Sequence, residues 1–432
     1  MTNFLLDIVQ RQKAGEAVGV TSICSAHPLV LEAAVLQALA DHTTVLVEAT
    51  SNQVDQFGGY TGMRPADFRD LVYDIADRCG LPRTRVVLGG DHLGPNTWRQ
   101  LGPDAAMDRA ETLVAAYVAA GFTKIHLDCS MSCEGDPTPL TDELVAQRAA
   151  RLARVAEQAA VRHHGVSVLL YVVGTEVPVP GGAHETIEVL APTSADSARA
   201  TIACHQKAFE DAGLPQAWDR VLALVVQPGV EFDHAQVVDY QRDRTKELRC
   251  VVDEHPHLVF EAHSTDYQRA DRLTELVEDH WAVLKVGPGL TFALREGLYA
   301  LAAIEDELVD AAARSDLVAV VERRMVEEPH WWQGYYEGEA SDQAMARRYS
   351  YSDRLRYYWP DEQVHAAQVR LLANLSAVDI PLPLLSQYLP EQYRRVRLGE
   401  LALEPIALAV DRVRDVLRDY SRACDPLLRS SL

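Results

Sequence analysis

The chain has 432 residues, too many for one ordinary domain but natural for a barrel of about 250–300 residues with an appendage. Hydrophobic residues make up 48% and charged residues 24%, which excludes a disordered or fibrous protein and permits a full core. With 41 Lys and Arg against 63 Asp and Glu, the formal charge of −22 repels nucleic acid and anionic membrane surfaces, so neither is an expected partner.

The first segment, Met1 to Lys13, predicts a short amphipathic helix, because Asp7 interrupts its apolar run and no small-residue cleavage site follows. No stretch approaches the roughly 18 apolar residues of a membrane span, and a soluble, cytoplasmic protein is expected. The seven cysteines, odd in number and scattered, fit a reducing compartment. Eight β-branched runs then follow: Val18–Ser25, Thr43–Ala49, Arg85–His92, Thr123–Ser130, Ser167–Gly174, Val221–Gln227, Leu258–His263 and Ala282–Gly287. Amphipathic stretches such as Pro103–Ala120 and Leu140–His164 separate them, the sign of βα units. A doubly wound sheet usually brings a G-x-G-x-x-G turn after the first strand, and Ser22 to Pro28 has none, so the expected fold is an α/β TIM (β/α)₈ barrel. After the helix Thr291–Glu307 the pattern becomes aromatic and polar, from His330 to Tyr336 and from Arg348 to Pro360, then helical again. The expected division is residues 1–315 for the barrel, with the metal and substrate site, and 316–432 for a helical region covering its mouth.

Barrel chemistry lies at the C-terminal ends of the strands, where side chains converge. That rim offers Cys24 and His27, Glu48 with Asn52 and Gln53, Asp91 with His92, Asp128 with Ser130, Glu176, Gln227 with Glu231, Glu261 with His263, and Lys285. Ionisable groups at nearly every strand end are poor core filler. His92 and His263 end separate strands, each with carboxylates nearby, and imidazole plus carboxylate is the donor set of an open Zn²⁺ or Mn²⁺ site. Lys285, among carboxylates that hold an ammonium protonated, suits an ion pair or substrate contact better than a Schiff base. The turn Lys285-Val-Gly-Pro-Gly-Leu-Thr, strand then glycines then helix, is of the kind that binds phosphate through backbone N–H groups. Arg354 and Arg356, beside Tyr349, Ser350 and Ser352, would also suit a phosphate.

The strings Cys24-Ser-Ala-His-Pro, Glu48-Ala-Thr-Ser-Asn-Gln-Val, Gly89-Gly-Asp-His-Leu-Gly-Pro-Asn, Lys124-Ile-His-Leu-Asp-Cys-Ser-Met, Gly174-Thr-Glu-Val-Pro, Gln227-Pro-Gly-Val-Glu-Phe and Tyr349-Ser-Tyr-Ser-Asp-Arg resemble the tagatose-bisphosphate aldolase accessory (non-catalytic) subunit family. That family also includes D-tagatose-6-phosphate 4-epimerases and is related to class II aldolases. No P-loop or other nucleotide cradle accompanies the resemblance. The class II pattern matches Asp91-His92 and His263, but where a third His is expected on the sixth strand this sequence has Gln227, so Gln227, Glu231 or Glu176 would have to complete the site. His263-Ser-Thr-Asp replaces the Gly-rich phosphate loop after the seventh strand, which argues against tight bisphosphate binding.

The resemblance implies two functions. One is a metal-dependent 4-epimerase interconverting D-tagatose 6-phosphate and D-fructose 6-phosphate, or the free ketohexoses, by retro-aldol cleavage and re-addition. Its metal ligands would be His92, Glu176, Gln227 and His263, holding Zn, Mn, Ni or Co. Its acid and base would come from Asp91, Asp128, Glu176 and Glu231, and substrate contacts from Glu48, Asn52, Gln53, Ser130, Lys285, Tyr349, Ser350 and Arg354. The other is a stabilising partner of a separate class II aldolase subunit, docked through the aromatic segments. A homo-oligomer is expected.

Overall fold

The computed structural model describes residues 3–175 and 190–429. Eight parallel strands, β1 (Val20–Ile23), β2 (Val45–Thr50), β3 (Val86–Leu93), β4 (Lys124–Leu127), β5 (Leu170–Val173), β6 (Val221–Val225), β7 (Val259–Ala262) and β8 (Trp281–Val286), lie in sequence order and close by pairing β8 with β1. All eight runs anticipated from the sequence are present, trimmed where polar ends pass into loops. The sixth stops at Val225 because the Gln227 side chain caps the next turn, its Oε1 accepting from Gly229 N–H at 2.8 Å and Val230 N–H at 2.9 Å.

Helices Pro28–Ala40, Pro65–Cys79, Pro103–Ala119 and Pro288–Leu308 open on proline, whose missing N–H and fixed φ suit a first helical position. Thr141 caps Asp142–His164, with acidic residues in its first turn and Arg and His in its last, as the helix dipole favours. Ala195–Asp211, a run of short helical turns from Arg242 to Glu254, and Ala270–Glu278 complete the set between strands. A two-stranded hairpin, Glu231–Phe232 with Val237–Val238, follows β6. The N-terminal helix Phe4–Lys13 closes the bottom of the barrel, packing Leu5, Ile8 and Val9 on Val20, Leu46, Leu170, Val259 and Val283.

After residue 315 the chain stays helical and shares one continuous apolar core with the barrel's outer face. Its parts do different jobs. Trp331 and Tyr357 stack 4.7 Å apart at the barrel mouth, whereas the long helix Pro405–Cys424 lies against the barrel wall, between Pro28–Ala40 on one side and Ala270–Glu278 and Pro288–Leu308 on the other. That seat needs Gly297, because any side chain there would begin 3.3 Å from the Ala409 Cα. The helix also reaches β1, where Gly19 N–H donates to the Cys424 carbonyl at 2.8 Å. All seven cysteines are free, and no helix among the described residues is long and apolar enough to cross a membrane.

Candidate metal and substrate site

The period of two along each strand builds the site. Val20, Leu46, Val259 and Val283 face the apolar barrel bottom, so Ser22, Glu48, Glu261 and Lys285, two residues further on, face the same axis one layer higher. Register puts Ser22 beside Lys285, Glu48 beside Gly89, and Gly89 beside Lys124. Gly89 leaves the room Glu48 needs, since a Cβ there would stand 2.7 Å from Glu48 Cγ. The result is a buried ionic layer. Lys124 Nζ lies 2.5 Å from Glu48 and 2.7 Å from Glu261, and Lys285 Nζ lies 2.9 Å from Glu261 while also gripping Asp91. Burial lowers both lysines, but these carboxylates outweigh it and hold Lys124 above and Lys285 well above the usual ammonium value, which fits an ion-paired Lys285 rather than a Schiff-base amine.

One layer higher, three imidazoles meet edge to face. Ring centres are 5.0 Å apart for His92 and His126, 4.9 Å for His92 and His263, and 5.2 Å for His126 and His263. With Asp91 they offer one ligand atom each within 4.8 Å of one another, all four buried, a group that could hold a metal ion. His92 reaches inward from a left-handed backbone (φ 50°), a conformation a non-glycine residue keeps only when its surroundings enforce it. Its Nδ1 is 2.7 Å from Asp128 Oδ2, the outer carboxylate that fixes a ligating ring. His126 Nδ1 is 3.1 Å from Asp91 Oδ1, and its buried Nε2 has no hydrogen-bond partner. Burial and then Lys285 push His126 down to about 4 and His263 well below the ordinary imidazole value, so both are neutral, the form that binds a cation.

Charge balance points the same way. Burial raises Asp91, Asp128 and Glu261, yet each ends below the usual carboxylate range: His92 and Lys285 outweigh burial at Asp91, His92 at Asp128, and Lys124 and Lys285 at Glu261. Four carboxyl groups, Glu48, Asp91, Asp128 and Glu261, thus meet two lysines, Lys124 and Lys285, out of water, with His92 the further group facing Asp91 and Asp128. A cation held at Asp91, His126 and His263 would suit a site so rich in buried carboxyl groups.

A cavity of about 70 Å³ opens above the cluster, with Asn52, Gln53, Phe232, Asp266, Arg356 and Tyr357 in its wall. Of the residues anticipated from the sequence, Asp91, His92, His263, Lys285, Asn52 and Gln53 line it. Glu48 lies beneath, and Ser130 Oγ donates to Asp128 Oδ1 at 2.7 Å. Glu231 stands behind Phe232, where burial foremost, helped by Asp266, pushes its carboxyl up to about 7 against hydrogen bonds from Phe232 N–H and Ser264. Gln227 is not brought to the imidazoles, its oxygen being spent on its own turn. Tyr349 is 55% exposed, and the Ser350 hydroxyl lies 3.1 Å from His234. Arg354 is turned to the Trp331 carbonyl at 2.7 Å and the Tyr335 ring at 3.3 Å, so its neighbour Arg356 is the guanidinium at the cavity. Glu176 lies outside the described residues.

The turn expected to bind phosphate is already filled. Gly287 and Gly289 donate their N–H groups to Asp266 Oδ1 at 2.9 and 2.7 Å. Sequence reading also missed His126 and Lys124, which strand parity marks: Lys124, His126 and Asp128 alternate on one face of β4, the face that Asp128 had already placed inward.

A family model described as D-tagatose-1,6-bisphosphate aldolase subunit GatZ/KbaZ-like matches residues 5–425. The crystal structure of a probable tagatose 6 phosphate kinase from Sinorhizobium meliloti 1021 is 50% identical, with a TM-score of 0.87 over 94% of this chain and 100% of that one. The fructose-bisphosphate aldolase of Campylobacter jejuni is 14% identical, with a TM-score of 0.42 over 85% of this chain and 91% of that one.

Proposed function

Because the chain belongs to the GatZ/KbaZ-like family of D-tagatose-1,6-bisphosphate aldolase subunits, we propose that it is a metal-dependent 4-epimerase of a ketohexose or its 6-phosphate, interconverting tagatose and fructose forms. The observation that carries this reading is the meeting of His92, His126, His263 and Asp91 above a buried layer of carboxyl groups and lysines. C4 of a 2-ketohexose lies β to the carbonyl and has no acidic hydrogen, so inversion there calls for cleavage and re-formation of the C3–C4 bond. A divalent cation such as Zn²⁺, Mn²⁺, Ni²⁺ or Co²⁺, held by those four residues, supplies the Lewis acidity for that reversible scission.

The chain's own groups supply the rest. Asp128 fixes the His92 ring, and Lys285 keeps Asp91 charged. Glu231, raised to about 7 and hydrogen-bonded to Ser264 in the cavity wall, would give and take the C4 hydroxyl proton through that serine, since an acid–base group works best near the ambient pH. Asn52 in the cavity wall offers its amide to sugar hydroxyls, while Gln53 beside it accepts from Thr50 N–H at 3.1 Å and donates to the Cys24 carbonyl at 3.3 Å, shaping the wall. Arg356 holds an anionic end: its guanidinium donates to the Ser352 and Asp353 carbonyls and, at 3.2 Å, to the Tyr357 hydroxyl, with no ion-pair partner among the described residues. Tyr60, Tyr357 and Trp331 keep water from the reacting carbons. Glu176 is a further proposed base or ligand, and the part of residues 316–432 around Trp331 and Tyr357 is the proposed cover of the mouth, Pro405–Cys424 lying on the wall instead.

Incubating the purified chain with fructose, tagatose and their 6-phosphates, with and without divalent ions, tests the reading. Inversion at C4 that requires the ion and stops with chelator is the expected result; no product from any of the four ends it. The description of the matching family as an aldolase subunit favours a second reading, a stabilising partner. That outcome would show as an inert chain that raises the activity of a separate class II aldolase.

A further inference from the structure

Phosphate sites of (β/α)₈ barrels commonly lie between the loops after the seventh and eighth strands, on backbone N–H groups at a helix start. Here the two loops meet, but the anion between them belongs to the protein. Asp266, from the loop after β7, accepts from the N–H groups of Gly287 and Gly289 at the start of the 21-residue helix Pro288–Leu308. It is 3% exposed and stands in the cavity wall.

Its loop is held in place from both sides. Thr265 Oγ1 donates to the Lys285 carbonyl at 2.6 Å, and the Tyr420 hydroxyl donates to the Thr265 carbonyl at 2.8 Å. On the far side the Tyr267 hydroxyl donates to the Tyr351 carbonyl at 2.6 Å, and Ser264 and Tyr267 take left-handed φ values of 53° and 64°. A loop pinned at 265 and 267 delivers the carboxylate between them to one place. A phosphoryl group entering the turn would find both donors taken and a like charge in contact, in surroundings where repulsion is weakly screened.

We propose that Asp266 is a specificity-determining residue, an internal anion that keeps phosphate out of the turn between β8 and the following helix. The sugar end seated against that turn is therefore an uncharged hydroxymethyl group, and a ketose phosphorylated at both ends is refused. This rests on the reading that the cavity takes a ketohexose.

The test reads phosphate binding without turnover. In the full chain labelled with ¹⁵N-glycine, inorganic phosphate should leave the Gly287 and Gly289 amide signals in place, even where it binds at Arg356. In Asp266→Ser both signals should move with added phosphate, and its affinity should rise at least about tenfold. Asp266→Asn, which keeps a carbonyl oxygen for the turn but no charge, decides if the serine chain does not fold: phosphate should displace the neutral amide and move the same two signals. Movement in the natural chain, or none in whichever variant folds, overturns the proposal. A chain that shows these shifts but epimerises no sugar refutes only the proposed function. Epimerisation with unmoved signals in the folded variants refutes only the role of Asp266.

Discussion

His126 carries the largest residue-scale prediction, because it brings a third imidazole to the cluster, where the sequence left Gln227, Glu231 or Glu176 to complete the site. His126→Ala should lower bound divalent ion as far as His92→Ala does, while Gln227→Ala should leave it unchanged; elemental analysis of the purified variants checks both. Glu231 gives a pH prediction. Its carboxyl rises from an ordinary 4.5 to about 7, so between those values the folded chain keeps a proton the unfolded chain has released, and stability falls as pH rises through that window. Glu231→Gln removes the loss and should be more stable at pH 8 by up to about 3 kcal/mol, with turnover abolished. Urea melts at pH 5 and pH 8 would count against this if the variant kept the natural pH dependence. The sequence showed Asp91, His92 and His263 plainly, since each ends a strand. His126 was hidden because the run read from the sequence, Thr123–Ser130, puts it in mid-strand, whereas β4 ends at Leu127, and Asp266 because its partners, Gly287 and Gly289, join it only through the tertiary fold. Arg354 and Arg356 share one short 3₁₀ turn, and nothing local says which of them faces the cavity.

At the scale of elements, one tie of the segment from Tyr349 to Trp359 is Asp353. That residue takes a left-handed φ of 44° and accepts from Thr291 Oγ1 at 2.6 Å, with the buried Arg295 guanidinium 3.7 Å away. Asp353→Ala leaves Arg295 charged, buried and without its carboxylate, a loss of about 3 kcal/mol. The segment should loosen over the cavity, so KM should rise more than kcat falls; an unchanged KM in steady-state kinetics would separate this segment from the substrate. The strands were legible at this scale because β-branched runs between amphipathic helices have few other readings. The hairpin after β6 was not, since strands of two residues carry no periodicity.

For the whole molecule, the surplus of acid in the sequence is accompanied inside by a buried layer in which four carboxyl groups meet two lysines. Metal binding should therefore be folding energy: at a free ion concentration about one hundred times its Kd the folded chain gains about 2.7 kcal/mol. Calorimetry with and without chelator should show a matching fall in Tm, and identical traces would mean that no ion is held. The sequence led to the expectation of further helices after the barrel, but not that one of them, Pro405–Cys424, is built into the wall, because a helix's apolar stripe does not name its partner. The placement matters during synthesis. β1 leaves the ribosome long before Pro405–Cys424, the helix that shields it, so a growing chain carries an uncovered apolar seam until that helix has been made. Such nascent chains are natural clients of chaperones, and a stop codon just before Pro405 should yield aggregates rather than a smaller working barrel.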